Sequence, residues 1–239
     1  MNVLALDTSN KAMSVAVVQD GVLLAETDLN KMRTHSAQLL PAIDNLVKLS
    51  GLTPEDLDRV AVAQGPGSYT GLRIGVTVAK TLADTMNIQL VGVSSLATLA
   101  ANVRETSAMI VPVMDARRGN VFSGIYQWQN GKLINVVLDK HVSLKQLADE
   151  ALALNQIATF VGATEPMKET IREIMGSQAQ FADELSGLPR AARIAELAAD
   201  MLPVDVASFV PKYLRLTEAE VNWQAKHPGE THTNYVEKV

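Results

Sequence analysis

The sequence contains no cysteine, which excludes a disulfide framework, a thiolate metal site, an iron–sulfur cluster and a cysteine nucleophile. A reducing, cytoplasmic setting is expected. Long apolar runs are missing as well: no uninterrupted stretch approaches the ~20 residues that a membrane span requires. No membrane contact is expected. The apolar start from Met1 to Leu6 carries no basic segment and no small-residue cleavage pattern, and it meets Asp7 at once. It reads as a first strand and not as a signal peptide. Nor is there an excess of basic charge. Lys and Arg number 21 against 26 Asp and Glu, a formal net charge of −5, which argues against autonomous binding to phosphate backbones. A nucleic-acid role would need a partner or a local patch. What the sequence does have is 239 residues, 47% of them hydrophobic, enough for one or two domains with a core that needs no covalent staples.

Short Val- and Leu-rich runs at Val3 to Leu6, Ser14 to Val18 and Val22 to Asp28, broken by Asp20-Gly21, predict a three-stranded meander. Ser36 to Ser50 carries Leu39, Leu40, Ile43, Leu46 and Val47 at helical spacing, with Pro41 in the early turns and Gly51 as a stop. Thr53-Pro54-Glu55 reads as a capped helix start, Arg59 to Ala63 as a buried strand, Gly65 to Gly71 as a loop, and Leu72 to Met86 as a helix. Ile88 to Val93 is expected to be a strand and Ser95 to about Arg104 a helix. The order then begins again. Met109 to Asp115, Val121 to Trp128 and Lys132 to Asp139 predict a second meander, with the hairpin signal Asn130-Gly131 between the last two. After it come a helix at Ser143 to Leu152, a strand at Ile157 to Val161, and helices at Glu165 to Met175 and Pro189 to Met201. Each meander's first strand ends in an aspartate, Asp7 and Asp115. This is a duplication of topology without a duplication of residues. The divisions expected are 1–105, 106–226, and a mobile polar tail at 227–239.

An α/β chain of two such halves resembles the actin, hexokinase and Hsp70 superfamily, two lobes that each hold a mixed sheet and flanking helices. In that superfamily the turn after each first strand cradles phosphate, with glycines where a Cβ would block the anion. Here Asp7-Thr8-Ser9-Asn10-Lys11 has no glycine, Asp115-Ala116-Arg117-Arg118-Gly119 places two arginines in that space, and Val161-Gly162-Ala163 has one glycine where the superfamily has two. Asp7, Thr8, Ser9, Asp115 and Gly162 therefore read as a degenerate nucleotide site, with no cofactor expected. Asp7 and Asp115 are open to a second reading as a carboxylate pair across a cleft.

The most distinctive stretch is Gly65-Pro66-Gly67-Ser68-Tyr69-Thr70-Gly71-Leu72-Arg73-Ile74-Gly75. It is not a Walker loop, since five residues separate Gly65 from Gly71 and Leu72-Arg73 comes next. Nor is it a dinucleotide fingerprint, because Gly65, Gly67 and Gly71 are spaced wrongly and Val91-Gly92-Val93-Ser94 supplies no ribose-binding acid. As local structure it is a tight strand-to-helix connection with Thr70 as N-cap and Arg73 in the first turn. Taken whole, this loop is similar to the signature of the TsaB family, also called YeaZ. The likeness extends to Leu4-Ala5-Leu6-Asp7-Thr8-Ser9, to His35-Ser36 ahead of Leu39-Leu40-Pro41, to Met114-Asp115-Ala116-Arg117-Arg118, and to Pro211-Lys212-Tyr213-Leu214-Arg215 before Glu218-Ala219-Glu220.

The resemblance implies a two-lobed actin-like fold and a non-catalytic subunit in the system that installs threonylcarbamoyl on adenosine 37 of tRNA. It further implies a TsaD-type catalytic paralogue and a TsaE-type ATPase as partners, with tRNA reached only through the complex; a homodimer in isolation stays open. TsaD binds a metal through a His-x-x-x-His pair, but here His35 is followed four residues later by Leu39. His141 reads as solvated, and His227, Glu230 and His232 lie in the tail; no metal is expected. An autonomous ATP-dependent small-molecule kinase and a zinc peptidase of the glycoprotease-like type are the other readings. The expected partner surface joins Leu39, Leu40, Ile43, Leu46 and Val47 of one helix to Gly75, Ala79 and Ala83 of the next. The second set continues a stripe from Gly71 with almost no side chain, along which another helix could approach.

Overall fold

The computed structural model describes residues 1–30, 35–104 and 107–215. The chain runs β1 (Asn2–Asp7), β2 (Met13–Gln19), β3 (Val22–Leu29), α1 (His35–Leu49), β4 (Arg59–Gly65), α2 (Tyr69–Met86), β5 (Gln89–Ser94) and α3 (Ser95–Ala100). It continues through β6 (Met109–Asp115), β7 (Asn120–Gln129), β8 (Lys132–Ser143), α4 (Leu144–Ala153), β9 (Ala158–Val161), α5 (Glu165–Met175), β10 (Ala179–Phe181) and α6 (Ala191–Ala198). Two five-stranded sheets result, ordered β3-β2-β1-β4-β5 and β10-β9-β6-β7-β8. Taken from its other end, the second order repeats the first. In each, the first strand pairs antiparallel with the second and parallel with the fourth. The expected duplication is present, and β10, a strand not expected from the sequence, completes it.

The central strands of the first sheet are apolar on both faces because both faces are covered. Leu4, Leu6, Val15, Val17, Val60, Val62 and Leu90 turn toward α1 and α2. Their alternates Val3, Ala5, Ala16, Val18, Ala61 and Ala63 turn toward Ala191, Ile194, Ala195 and Ala198 of α6. In the second sheet Val111, Val113, Val121 and Ile125 pack on α4 and α5. The opposite face, with Ile110, Met114, Phe122 and Tyr126, receives Leu96, Leu99 and Ala100 of α3. The two terminal helices are thus exchanged, α3 lying against the sheet that comes after it and α6 against the sheet that precedes it. Each of the expected divisions, 1–105 and 106–226, thus holds one helix that packs on the other's sheet.

Polar contacts fix the exchange. Glu26 accepts from the Ala192 amide at 2.9 Å and pairs with Arg190, and Ser14 Oγ accepts from the Ala191 amide at 2.7 Å, so the first turn of α6 is held by β2 and β3. At its other end the buried Arg59 donates to the Ala198 carbonyl and to the Gln89 side chain. Between the lobes Asp139 accepts from Ser94, Tyr126 and Asn135.

Two expectations are corrected. The helix of the glycine loop starts at Tyr69, three residues early, and its N-cap is Ser68, whose Oγ accepts from the Gly71 amide at 3.3 Å; Thr70 is inside the helix. The partner surface fails on burial. Leu39, Ile43, Leu46, Val47, Gly75, Ala79 and Ala83 all face this chain's own core, and of the residues proposed only Leu40 is exposed, at 53%. The glycines of the stripe admit Thr8, whose Oγ1 donates to the Gly71 carbonyl at 2.7 Å and which a Cβ on Gly75 would strike, while Ala79 and Ala83 belong to the core. Replacing the fully buried Ala79 with Arg is therefore expected to destabilise the fold by ~3 kcal/mol or more. Urea unfolding followed by circular dichroism checks this, and an unchanged midpoint would return Ala79 to the surface.

Candidate functional site

Between the lobes lies a cleft of about 700 Å³. Its walls are built from the turns at the ends of the two first strands, Ser9 and Asn10 after β1 and Asp115 to Arg118 after β6, together with the loop from Gly67 to Thr70 and Tyr213 to Arg215. The glycine loop closes on the β1–β2 turn: the Ser68 amide donates to the Ser9 carbonyl at 2.7 Å. A Cβ on Gly67 would collide with that same carbonyl, and one on Gly71 with the Thr8 carbonyl. These glycines are required by backbone meeting backbone. Gly65 serves a similar approach, its would-be Cβ striking the Lys212 carbonyl, while the Lys212 amide donates to the Gln64 carbonyl at 2.7 Å. That bond leads the terminal segment to the cleft, where Tyr213 stacks on Tyr69 with centroids 4.8 Å apart. Arg73, expected in the first turn, hydrogen-bonds the Tyr69 hydroxyl at 3.2 Å.

Of the degenerate nucleotide residues, the structure separates the two aspartates. Asp115 is exposed and lines the cleft, its Oδ1 accepting from the Arg117 amide at 2.7 Å. Asp7 is fully buried behind the turn. Its Oδ1 accepts from the Ser9 amide at 2.8 Å and the Ser9 hydroxyl at 2.7 Å, and its Oδ2 has no partner. The reading of the two as a carboxylate pair across the cleft is corrected, since Asp7 does not reach it. Thr8 is buried beneath α2. Gly162, with φ of 83°, lies against Gly187, and its own Cβ would stand 2.7 Å from the Val113 carbonyl. Asn102 holds that cover down through the Ser186 and Leu188 carbonyls, both at 2.8 Å. Thr8 and Gly162 are thus covered by this chain's own residues, whereas Ser9 and Asp115 line the cleft.

A metal fits no better. His35 Nε2 lies 3.0 Å from the Asn10 carbonyl, and Leu39, in the place of a second ligand, is wholly buried in the core. No group of three or more His, Asp or Glu suited to a metal occurs among the described residues. His141 is half-buried against Phe122, and burial, with the Arg215 charge second, holds its pKa below the usual value. His227, Glu230 and His232 lie outside the described residues, as do the 227–239 tail and the stretch Glu218-Ala219-Glu220. The sequence reading missed Tyr213 and Arg215 as cleft residues. Both sit in a motif it singled out, but no periodicity connects that motif to Tyr69.

Burial pushes Asp7 up to about 6 from 3.8, against the Ser9 hydrogen bonds and the nearby His35, which act the other way. Because the folded value is raised, the unfolded chain ionises first as pH rises. The carboxyl costs nothing below the lower value and about 3 kcal/mol of stability above the higher one. Asp7→Asn keeps the Ser9 acceptor and removes this cost. It should flatten the stability profile between about pH 4 and 6 and raise stability at pH 8 by ~1–2 kcal/mol, the remainder being spent on an amide N–H with no acceptor. Urea titrations at several pH values test this, and an unaltered slope would mean that Asp7 titrates normally.

Comparison with known proteins agrees with this geometry. Residues 23–223 match the family model described as TsaD: tRNA N6-adenosine threonylcarbamoyltransferase. The tRNA threonylcarbamoyladenosine biosynthesis protein TsaB of Bacillus subtilis is 40% identical over 93% of this chain and 98% of its own length. Among solved structures, YeaZ from Pseudomonas aeruginosa is similar with a TM-score of 0.77 and 29% identity, over 89% of this chain and 99% of that one. A ROK hexokinase from Thermus thermophilus, 10% identical over 82% of this chain and 98% of its own with a TM-score of 0.50, shares the fold alone. Two sheets of one strand order, a glycine loop closed on its neighbouring turn and these likenesses together place the fold as a duplicated actin-like one, and the chain belongs to the TsaB family of tRNA threonylcarbamoyladenosine biosynthesis proteins.

Proposed function

We propose that this chain serves threonylcarbamoyladenosine biosynthesis as a non-catalytic subunit, pairing with a TsaD-type catalytic paralogue and acting with a TsaE-type ATPase. The observation that carries this reading is the closure of the glycine loop on Thr8 and Ser9. An actin-like fold whose first phosphate-facing turn is packed against its own glycine loop, and whose second carries two arginines in place of small residues, keeps the scaffold of an enzyme without its phosphate cradle. The one carboxylate lining the cleft, Asp115, has its Oδ1 committed to its own turn, and no acid–base pair faces it across the described walls. The chemistry then belongs to the paralogue, and this subunit's part is to hold that paralogue in its competent form. With the small-residue stripe turned inward, pairing through the first lobe would use the flank of α1 that carries Leu40, which is 53% exposed.

Reconstituted tRNA modification measured with and without this chain tests the role. Omission should abolish modification, and modification that proceeds unchanged without the chain would sink the proposal. The isolated protein should neither bind ATP at micromolar concentration nor retain a stoichiometric metal; a positive calorimetric or metal-analysis result would favour the kinase or peptidase reading. Leu40→Asp should leave the melting curve in place and weaken co-elution with the paralogue by tenfold or more, since a charge replaces exposed apolar surface. Unimpaired co-elution would move the interface off α1.

A further inference from the structure

Two features at the lip of the cleft are left unused by the subunit role. One is the turn from β6 to β7, where Arg117, Arg118 and Gly119 all have positive φ, at 66°, 56° and 72°. The hairpin turns β2–β3 and β7–β8 solve the same backbone problem with residues suited to it, Asp20-Gly21 at 48° and 80° and Asn130-Gly131 at 50° and 76°. Arginine gains nothing from the left-handed region, so two in succession indicate that the turn is kept for their side chains. Both residues are exposed and line the cleft.

The other feature is the Tyr69–Tyr213 stack, whose rings are inclined by 26° and whose residues remain 45% and 41% exposed. Arg73 lies 5.5 Å over the Tyr69 ring. Arg215 is fixed at the same lip by its hydrogen bond to the Ala116 carbonyl at 3.0 Å. The walls carry Arg117 and Arg215 against one carboxylate, Asp115, among the described residues, and Arg118, which has an interaction partner of its own, lies beside them. A chain of net charge −5 has therefore gathered a positive patch around two rings, and α2 adds the positive end of its dipole there through Ser68 and Thr70.

We propose that this lip binds an unpaired, single-stranded segment of RNA, its bases stacking on the Tyr69–Tyr213 pair and its phosphates held by Arg117, Arg118 and Arg215. Stacking on exposed aromatics beside guanidinium groups is how unpaired RNA is recognised. An acidic peptide would use the cations and leave the rings idle, whereas RNA uses both. The choice of RNA rests on the role in tRNA modification proposed above, and it replaces the expectation that this chain meets tRNA only through its partners.

The test is fluorescence anisotropy of the full-length protein, alone and at low salt, with a labelled RNA hairpin carrying an unpaired loop. Wild-type protein should bind saturably and more weakly as salt rises. The double variant Arg117→Asn, Arg118→Asn suits the left-handed turn better than the native residues, so circular dichroism should show the fold kept. Its affinity should nevertheless fall about tenfold or more, and its salt slope should shrink by roughly 1.4, about 0.7 for each single-strand phosphate that is no longer neutralised. Tyr69→Leu should weaken binding roughly tenfold with the slope unchanged. Absence of saturable binding, or wild-type affinity in both variants, would overturn the proposal. So would displacement of the RNA by AMP at equal concentration, which marks a mononucleotide site, or by a polyglutamate peptide with no effect of Tyr69→Leu, which marks an acidic protein surface. RNA binding that fails while tRNA modification still requires the chain removes this inference alone; RNA binding that persists while modification does not require the chain removes the subunit role.

Discussion

The close approach of the glycine loop to the Thr8–Ser9 turn governs the rest of the first lobe. With no Cβ at Gly67 or Gly71, the Ser9 carbonyl can take the Ser68 amide, and Thr8 can slide beneath the first turns of α2. That approach sets where α2 starts, since Ser68 becomes its cap. It also seals Asp7 away from water, which is why burial and not a charged partner dominates the state of that carboxyl. The surface left over, on the far side of the turn, is the cleft.

Much of this was legible in the sequence. Val- and Leu-rich runs ending at Asp7 and Asp115, turn signals at Asp20-Gly21 and Asn130-Gly131, and apolar spacing in α1 found the strands and helices named, α1 and α5 to within a residue and the ends of α2, α3, α6 and β8 to within three or four. The failures have specific physical causes. Ser68 and Thr70 are both good caps, and only the tertiary fit of Gly71 under Thr8 decides between them. A glycine and alanine stripe says that something approaches closely, without saying whether that is a partner's helix or the chain's own threonine. The strand β10 is three residues, half-exposed, and formed by pairing with β9; nothing local announces it. The tyrosine stack joins two motifs far apart in the chain, and separation of that kind leaves no periodic trace.

Polar groups do much to hold the lobes in register. Asp139 gathers hydroxyl and amide donors from both sides of the seam, and the space it needs is kept open by Gly124, where a Cβ would meet its carboxylate. Arg59 is buried yet has only neutral acceptors, the Gln89 amide oxygen and the last carbonyls of α6. The partial negative charge at a helix C-terminus there stands in for a carboxylate. A lysine would keep the charge but lose the fork that spans both acceptors.

The exchange of α3 and α6 also dictates a schedule. All five strands of the first sheet leave the ribosome before residue 95, but the helix that covers one face of them is complete only at Ala198. While the second lobe is being made, Val3, Ala5, Ala61 and Val91 present an open apolar sheet to the cell, the kind of surface on which nascent chains associate wrongly and chaperones settle. The two halves are not separable modules. A cut between the lobes would bare one face of the first sheet and take α3 from the second. The duplication, whatever its origin, has become a single folding unit that closes only once α6 is synthesised.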